Sequence, residues 1–92
     1  MKYKHIIISG KVQNVSFREF VWKHAVALGS LSGYVRNTAE GNVEIVVQGE
    51  ENKINKLIAY CKKGPLLADV RDVKIDEVEM EEEMDGFYVK HS

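Results

Sequence analysis

The spacing of apolar residues changes period several times along the chain. Residues 3–9 (YKHIIIS) are rich in β-branched side chains and stop at Gly10, which predicts a first strand. From 16 to 28 the period lengthens. Phe17, Val21, Ala25 and Leu28 fall at i, i+4, i+8 and i+11, the stripe of a helix facing a core. Ser16 with Glu19 has the form of a capping box, and Gly29 is a natural stop. Residues 31–37 (LSGYVRN) and 43–48 (VEIVVQ) predict two strands joined by a turn in which Gly41 can take a positive φ. Ile54, Leu57, Ile58 and Cys61 mark a second helix over 51–63, with glutamates at its start, lysines at its end and Gly64-Pro65 beyond. In 70–80 the alternation is imperfect, and Val73, Ile75 and Val78 predict a fourth strand with a bulge. Asp85-Gly86 predicts a turn before a short last strand at 87–89.

The order βαββαβ with a terminal strand predicts a ferredoxin-like α/β (α+β) sandwich. Two right-handed crossovers put both helices on one face of an antiparallel sheet, with a short extra C-terminal strand. A single domain over 1–92 accounts for the length. Such a fold hosts many functions, so chemistry has to be sought in particular residues.

Composition narrows the search. The chain has 45% hydrophobic and 29% charged residues and a net charge of -1. That near-neutral balance points away from nucleic acid, which recruits clearly basic domains, and from a polybasic membrane surface. The charge is unevenly placed: six basic and three acidic groups precede residue 49, whereas seven basic and eleven acidic groups follow. An anion would be handled by the first half. A single cysteine excludes an intrachain disulfide. With no signal peptide and no long apolar run, a cytoplasmic location is expected, and nothing demands more than a monomer.

Within the basic half, Gly10-Lys11-Val12-Gln13-Asn14-Val15-Ser16-Phe17-Arg18 joins the first strand to the first helix. Backbone N–H groups there and at the helix start would converge on an anion. Arg18 falls near the second helical position, where a cation opposes the positive end of the helix dipole by a few tenths to ~1 kcal/mol. Bound phosphate would turn that misplaced charge into an asset, because a guanidinium can hold two phosphate oxygens. The alternative is an ordinary surface arginine on a routine connection.

The pattern Gly10-x-Val12-Gln13-x-Val15-x-Phe17-Arg18 resembles the active-site signature of the acylphosphatase family, and Gly33-Tyr34-Val35-Arg36-Asn37 resembles a second family block. Ala25-x-x-Leu28-Gly29, Glu40-Gly41-x-Val43-Glu44, Gly49, Gly64-Pro65 and Gly86-Phe87 follow in the family's order across essentially the whole chain. The resemblance implies the ferredoxin-like fold and hydrolysis of the carboxyl-phosphate bond of small acyl phosphates, releasing a carboxylate and inorganic phosphate. It implies that Arg18 binds phosphate, that Asn37 orients the attacking water, and that amides of Gln13, Asn14, Val15, Ser16, Phe17 and Arg18 hold the phosphoryl oxygens. It implies no metal and no organic cofactor. Asn14 departs from the family's usual glycine. Asn tolerates the left-handed backbone well, so the loop is expected to keep its shape, with rate or affinity open to change. Tyr34 stands where tryptophan is commoner.

The first helix carries the chain back, so the second strand should run parallel to the first, with Asn37 and the Gly10–Arg18 segment at one end of the sheet. Other residues have simpler roles. Cys61, on an apolar stripe, is expected to be a buried inert thiol. His5, His24 and His91 show no metal spacing, and Trp22 is expected to pack or to wall the pocket. Ser16 is assigned to capping rather than phosphate, Thr38 to support of Asn37 or of the phosphate site, and Lys11 and Arg36 to the local positive field or to solvent. The acidic run 76–85 reads as a solvated strand end and turn, with Met80 and Met84 packing. Two competing functions remain. An RNA-recognition module would need aromatic residues on the third strand, and VEIVVQ has none. A degenerate domain that only binds an anion or a protein partner is the other.

Overall fold

The computed structural model describes residues 1–91. The chain forms β1 (Lys2–Lys11), α1 (Phe17–Leu28), β2 (Ser32–Asn37), β3 (Val43–Gln48), α2 (Glu51–Lys63), β4 (Asp69–Glu79) and β5 (Phe87–Val89). The strands lie in one sheet in the order β4-β1-β3-β2-β5. β1 pairs antiparallel with β3 and β4, and β2 antiparallel with β3, so β1 and β2 run in the same direction as expected.

Two hydrophobic periods meet on one side of this sheet. Ile6 and Ile8 of β1, Val35 of β2, and Val43, Ile45 and Val47 of β3 share a face and are buried. Phe17, Val21 and Ala25 of α1, and Ile54, Leu57, Ile58 and Cys61 of α2, close over them. Burial pushes the Cys61 thiol up to about 12, so at neutral pH it is a protonated packing group. His24 stacks on Tyr60 at 3.9 Å and meets the edge of Phe20 at 4.5 Å, joining the two helices by ring contacts. Among the described residues, no helix is long and apolar enough to cross a membrane.

The predicted bulge lies in β4. Ser9 pairs with Asp72 but Gly10 pairs with Val70, so Arg71 has no partner across the strand. The extra residue brings Val70 and Val73 to the same side, where both pack against the core. β5 makes the sheet mixed, because it pairs parallel with β2. The direction follows from topology. The chain leaves β4 at one edge and returns along the other, antiparallel to β4, and β2 there already opposes β4. Residues 80–84 cross the face away from the helices and help cover it. The Met84 N–H donates to the Tyr3 hydroxyl at 2.8 Å, and the N-terminal ammonium bonds Glu79 and the Met80 carbonyl, each at 2.9 Å.

On that face Glu44 accepts hydrogen bonds from Arg36 and from His5, the latter at 2.7 Å. Burial raises the Glu44 carboxyl, but these two hydrogen bonds outweigh it and hold the group below its ordinary range. Because the folded value is depressed, the charge stabilises the fold above the unfolded value, about pH 4.3, and that contribution is lost as pH falls through the folded value. Glu44→Gln is expected to destabilise the protein at pH 7 and to flatten the acid limb of its stability profile, as measured by urea unfolding between pH 2 and 7. Gly33 supplies a second test. Its φ is 141°, and a Cβ there would lie 1.8 Å from the Val46 carbonyl oxygen. Gly33→Ala is therefore expected to cost at least about 2 kcal/mol, read as a lower denaturant midpoint at an unchanged slope.

Candidate active site

The loop between β1 and α1 is held at both ends by the core. Val12 and Phe17 are buried, and Val15 packs against the same cluster. Between these anchors the backbone turns left-handed twice, with φ of 61° at Asn14 and 60° at Ser16. Left-handed residues in such a loop can draw successive N–H groups into a concavity of the kind that binds anions. Asn14 thus takes the conformation its glycine-like position requires, and an asparagine does so at small cost.

The capping box read from Ser16 and Glu19 does not form. Ser16 does stand just before the helix, but its left-handed backbone leaves its hydroxyl without a capping hydrogen bond. A normal cap needs extended backbone at that position. The first helical-type bond runs from the Phe20 N–H to the Ser16 carbonyl at 3.1 Å. The amides of Phe17, Arg18 and Glu19 precede it, and no helical carbonyl can reach them.

A cavity of about 340 Å³ opens over this segment, lined by Val12, Asn14, Ser16, Phe17, Arg18, Glu19 and Asn37. Arg18 and Asn37, expected to meet, both line it. So do Asn14, Ser16 and Phe17. Gln13 and Val15 do not: Val15 packs inward, and Gln13 has a different task. Its side-chain amide donates to the carbonyls of Thr38 and Asn42, each at 2.9 Å. Those carbonyls belong to the β2–β3 turn that directly follows Asn37. Thr38 is nearly buried and accepts the Asn42 N–H on its hydroxyl at 3.1 Å, while its own N–H bonds the Asn42 carbonyl at 2.9 Å. Gln13 therefore ties the anion loop to the asparagine's turn. Nothing in the local sequence marks that role, since the partners lie 25 and 29 residues away.

Arg18 is approached from the end of the chain. One guanidinium nitrogen lies 3.2 Å from Nδ1 of His91. Arginine can only donate, so Nδ1 is the acceptor in this contact. The contact uses one of the five guanidinium N–H groups. Arg36 has a separate place: it bonds Glu44 and the Asn37 carbonyl, and its charge is matched on the outer face. Trp22 neither packs inside nor walls the cavity, and it is 43% exposed. A larger hollow of about 600 Å³ lies among Glu79–Asp85 and Tyr88. Its carboxylates would repel a phosphate, so the smaller cavity, which Arg18 lines beside the loop, is the candidate for anion chemistry. Among the described residues no group of three or more His, Cys, Asp or Glu could hold a metal ion.

Comparison with known proteins bears on the family and the fold. The family model described as acylphosphatase matches residues 4–89. An acylphosphatase from Caldivirga maquilingensis is 47% identical over 87 residues, covering 94% of this chain and 90% of that protein. The crystal structure of acylphosphatase from Bacillus subtilis superposes with a TM-score of 0.89 at 33% identity, covering 99% of this chain and 100% of that one. The fold also matches one part of HypF from T. kodakarensis, with a TM-score of 0.86 and 38% identity over 100% of this chain but 12% of that one. With its family model spanning nearly every element that builds the cavity, the chain belongs to the acylphosphatase family of enzymes.

Proposed function

We propose that the cavity hydrolyses the carboxyl-phosphate bond of small acyl phosphates, with Arg18 and the loop amides holding the phosphoryl group and Asn37 directing water. The observation that carries this is the convergence, on one cavity, of a guanidinium, two left-handed residues, the start of a helix and a carboxamide from another strand. Phosphoryl transfer depends chiefly on positioning and charge stabilisation, which these groups supply. The carboxylate is a good leaving group and needs no strong general acid.

The Asn37 carboxamide accepts a hydrogen bond from water and aims its oxygen at phosphorus, but it cannot deprotonate water at neutral pH. The water oxygen bonds to phosphorus as the bond from phosphorus to the acyl oxygen breaks. The electron pair leaves with the carboxylate, and the water proton passes to a phosphate oxygen of the substrate. The products are a carboxylate and inorganic phosphate, and no covalent enzyme intermediate is involved. Charge on the equatorial oxygens is met by Arg18 and backbone N–H groups, so this route calls on no metal ion.

Three variants test it, using hydrolysis of an aryl acyl phosphate in the presence of EDTA, with circular dichroism as the fold control. Arg18→Ala and Asn37→Ala are each expected to lower kcat/KM by about 10²–10³, the usual loss for one oxyanion-type contact. Inhibition by inorganic phosphate should weaken in Arg18→Ala and persist in Asn37→Ala. Equal rates in all three proteins would leave only anion binding as the role of this cavity. Gln13→Ala removes two hydrogen bonds, each with a net worth of about 0.5–1.5 kcal/mol. It is expected to lower both the unfolding midpoint and kcat, the latter by about tenfold as Asn37 loses its register with the loop.

A further inference from the structure

Asn37 is the last residue of β2, the point at which the ladder with β3 stops holding the chain. The peptide that leaves Asn37 enters the β2–β3 turn, and its carbonyl accepts a hydrogen bond from Nη1 of Arg36 at 3.4 Å. Resting on the water-directing role of Asn37 proposed above, we propose that Arg36, aimed by Glu44, is a positioning residue for the reaction and acts through Asn37 from the opposite face of the sheet.

Strand geometry sets the two residues back to back. Successive side chains of a strand point to opposite faces. Asn37 shares its side with the buried Val35 and lines the cavity, so Arg36 stands on the outer face. The backbone at each residue has two soft angles, φ and ψ. Pairing with β3 governs the approach to Asn37, whereas its ψ depends on what holds the outgoing carbonyl. Arg36 holds it, and so bears on where the carboxamide points.

Arg36 is itself fixed from two strands. It faces Glu44 directly across the β2–β3 pair, and its Nε donates to one carboxylate oxygen. The other oxygen meets Nε2 of His5, on β1, at 2.7 Å. With each oxygen engaged by a different strand, the carboxylate has no room to swing. The Glu44 side chain is 14% exposed and that of Arg36 29%, so water and salt screen the pair less than a fully exposed one. With Nε anchored, the planar guanidinium presents Nη1 to the Asn37 carbonyl in a set direction. The turn is thus held at neighbouring peptides by two different side chains. Gln13 takes the carbonyls of Thr38 and Asn42, and Arg36 takes that of Asn37.

The test is a double-mutant cycle in kcat with benzoyl phosphate, combining Arg36→Met or Arg36→Lys with Asn37→Ala. Circular dichroism gives the folded fraction. The inhibition constant of inorganic phosphate, which does not depend on that fraction, reports on the Arg18 side of the cavity. Arg36→Met keeps the length but no donor, and is expected to lower kcat about tenfold, within the roughly 10²-fold that a misplacement of about 1 Å can cost. Arg36→Lys keeps the charge without the planar fork and should lower kcat by a similar factor. KM and phosphate inhibition should stay as in wild type for both. In the Asn37→Ala background neither substitution should slow hydrolysis further, because the side chain being positioned is gone. An equal loss in both backgrounds, full activity in Arg36→Lys, or unchanged kcat in Arg36→Met would overturn the positioning role, while a slow Asn37→Ala protein would leave the role of Asn37 standing. Hydrolysis by Asn37→Ala at the wild-type rate would overturn both.

Discussion

Six residues, Val12 to Phe17, carry the constraint on which the proposed chemistry depends. Both ends of the segment are buried in the core, so the chain between them must turn within a fixed span. It does so by entering the left-handed region at Asn14 and again at Ser16, just before the first helical amides of α1, which have no helical carbonyl to bond. The core thereby supplies the rigidity that an anion site needs, because the hydrophobic burial that folds the protein also sets the curvature of the loop. The cost of two non-glycine residues at positive φ is met by that burial.

The second strand of the site is brought in by one side chain. Gln13 reaches from the loop to both ends of the β2–β3 turn, so Asn37 is positioned through a connection that crosses the top of β1, β3 and β2. This couples loop and turn into one unit, held by hydrogen bonds at 2.9 Å rather than by a continuous stretch of chain. The same economy shows in the charges of the basic half. Arg36 is occupied by Glu44 on the outer face, whereas Arg18 faces the cavity from an electrostatically unfavourable place on its helix. Two arginines on neighbouring elements are thus separated by which partner the sheet offers each of them.

Much of this was legible in the residues themselves. The elements, their order and the face each presents follow from apolar spacing, because a helix and a strand repeat at periods that local sequence must match. The inert Cys61, the bulge in β4, the left-handed tolerance of Asn14 and the meeting of Arg18 with Asn37 at one sheet end could all be stated before any coordinates. Each depends on a local pattern or on chain direction. Ser16 shows the limit of such patterns. Its spacing to Glu19 satisfies the capping motif, but a motif specifies residue types and not the backbone angle at which they are used.

Local patterning by itself therefore determined the sandwich of two helices on a sheet, and the family resemblance singled out the loop and the two side chains, Arg18 and Asn37, that line one cavity. Tertiary structure alone decided the contacts made at long separation, Gln13 on the β2–β3 turn, His91 against Arg18 and β5 laid parallel to β2, and it left Trp22 at the surface. The physical reason is one of range. Secondary structure is governed by neighbours a few residues away, which the sequence displays. The partner of a side chain that reaches across the sheet exists only once topology has brought the strands to one edge.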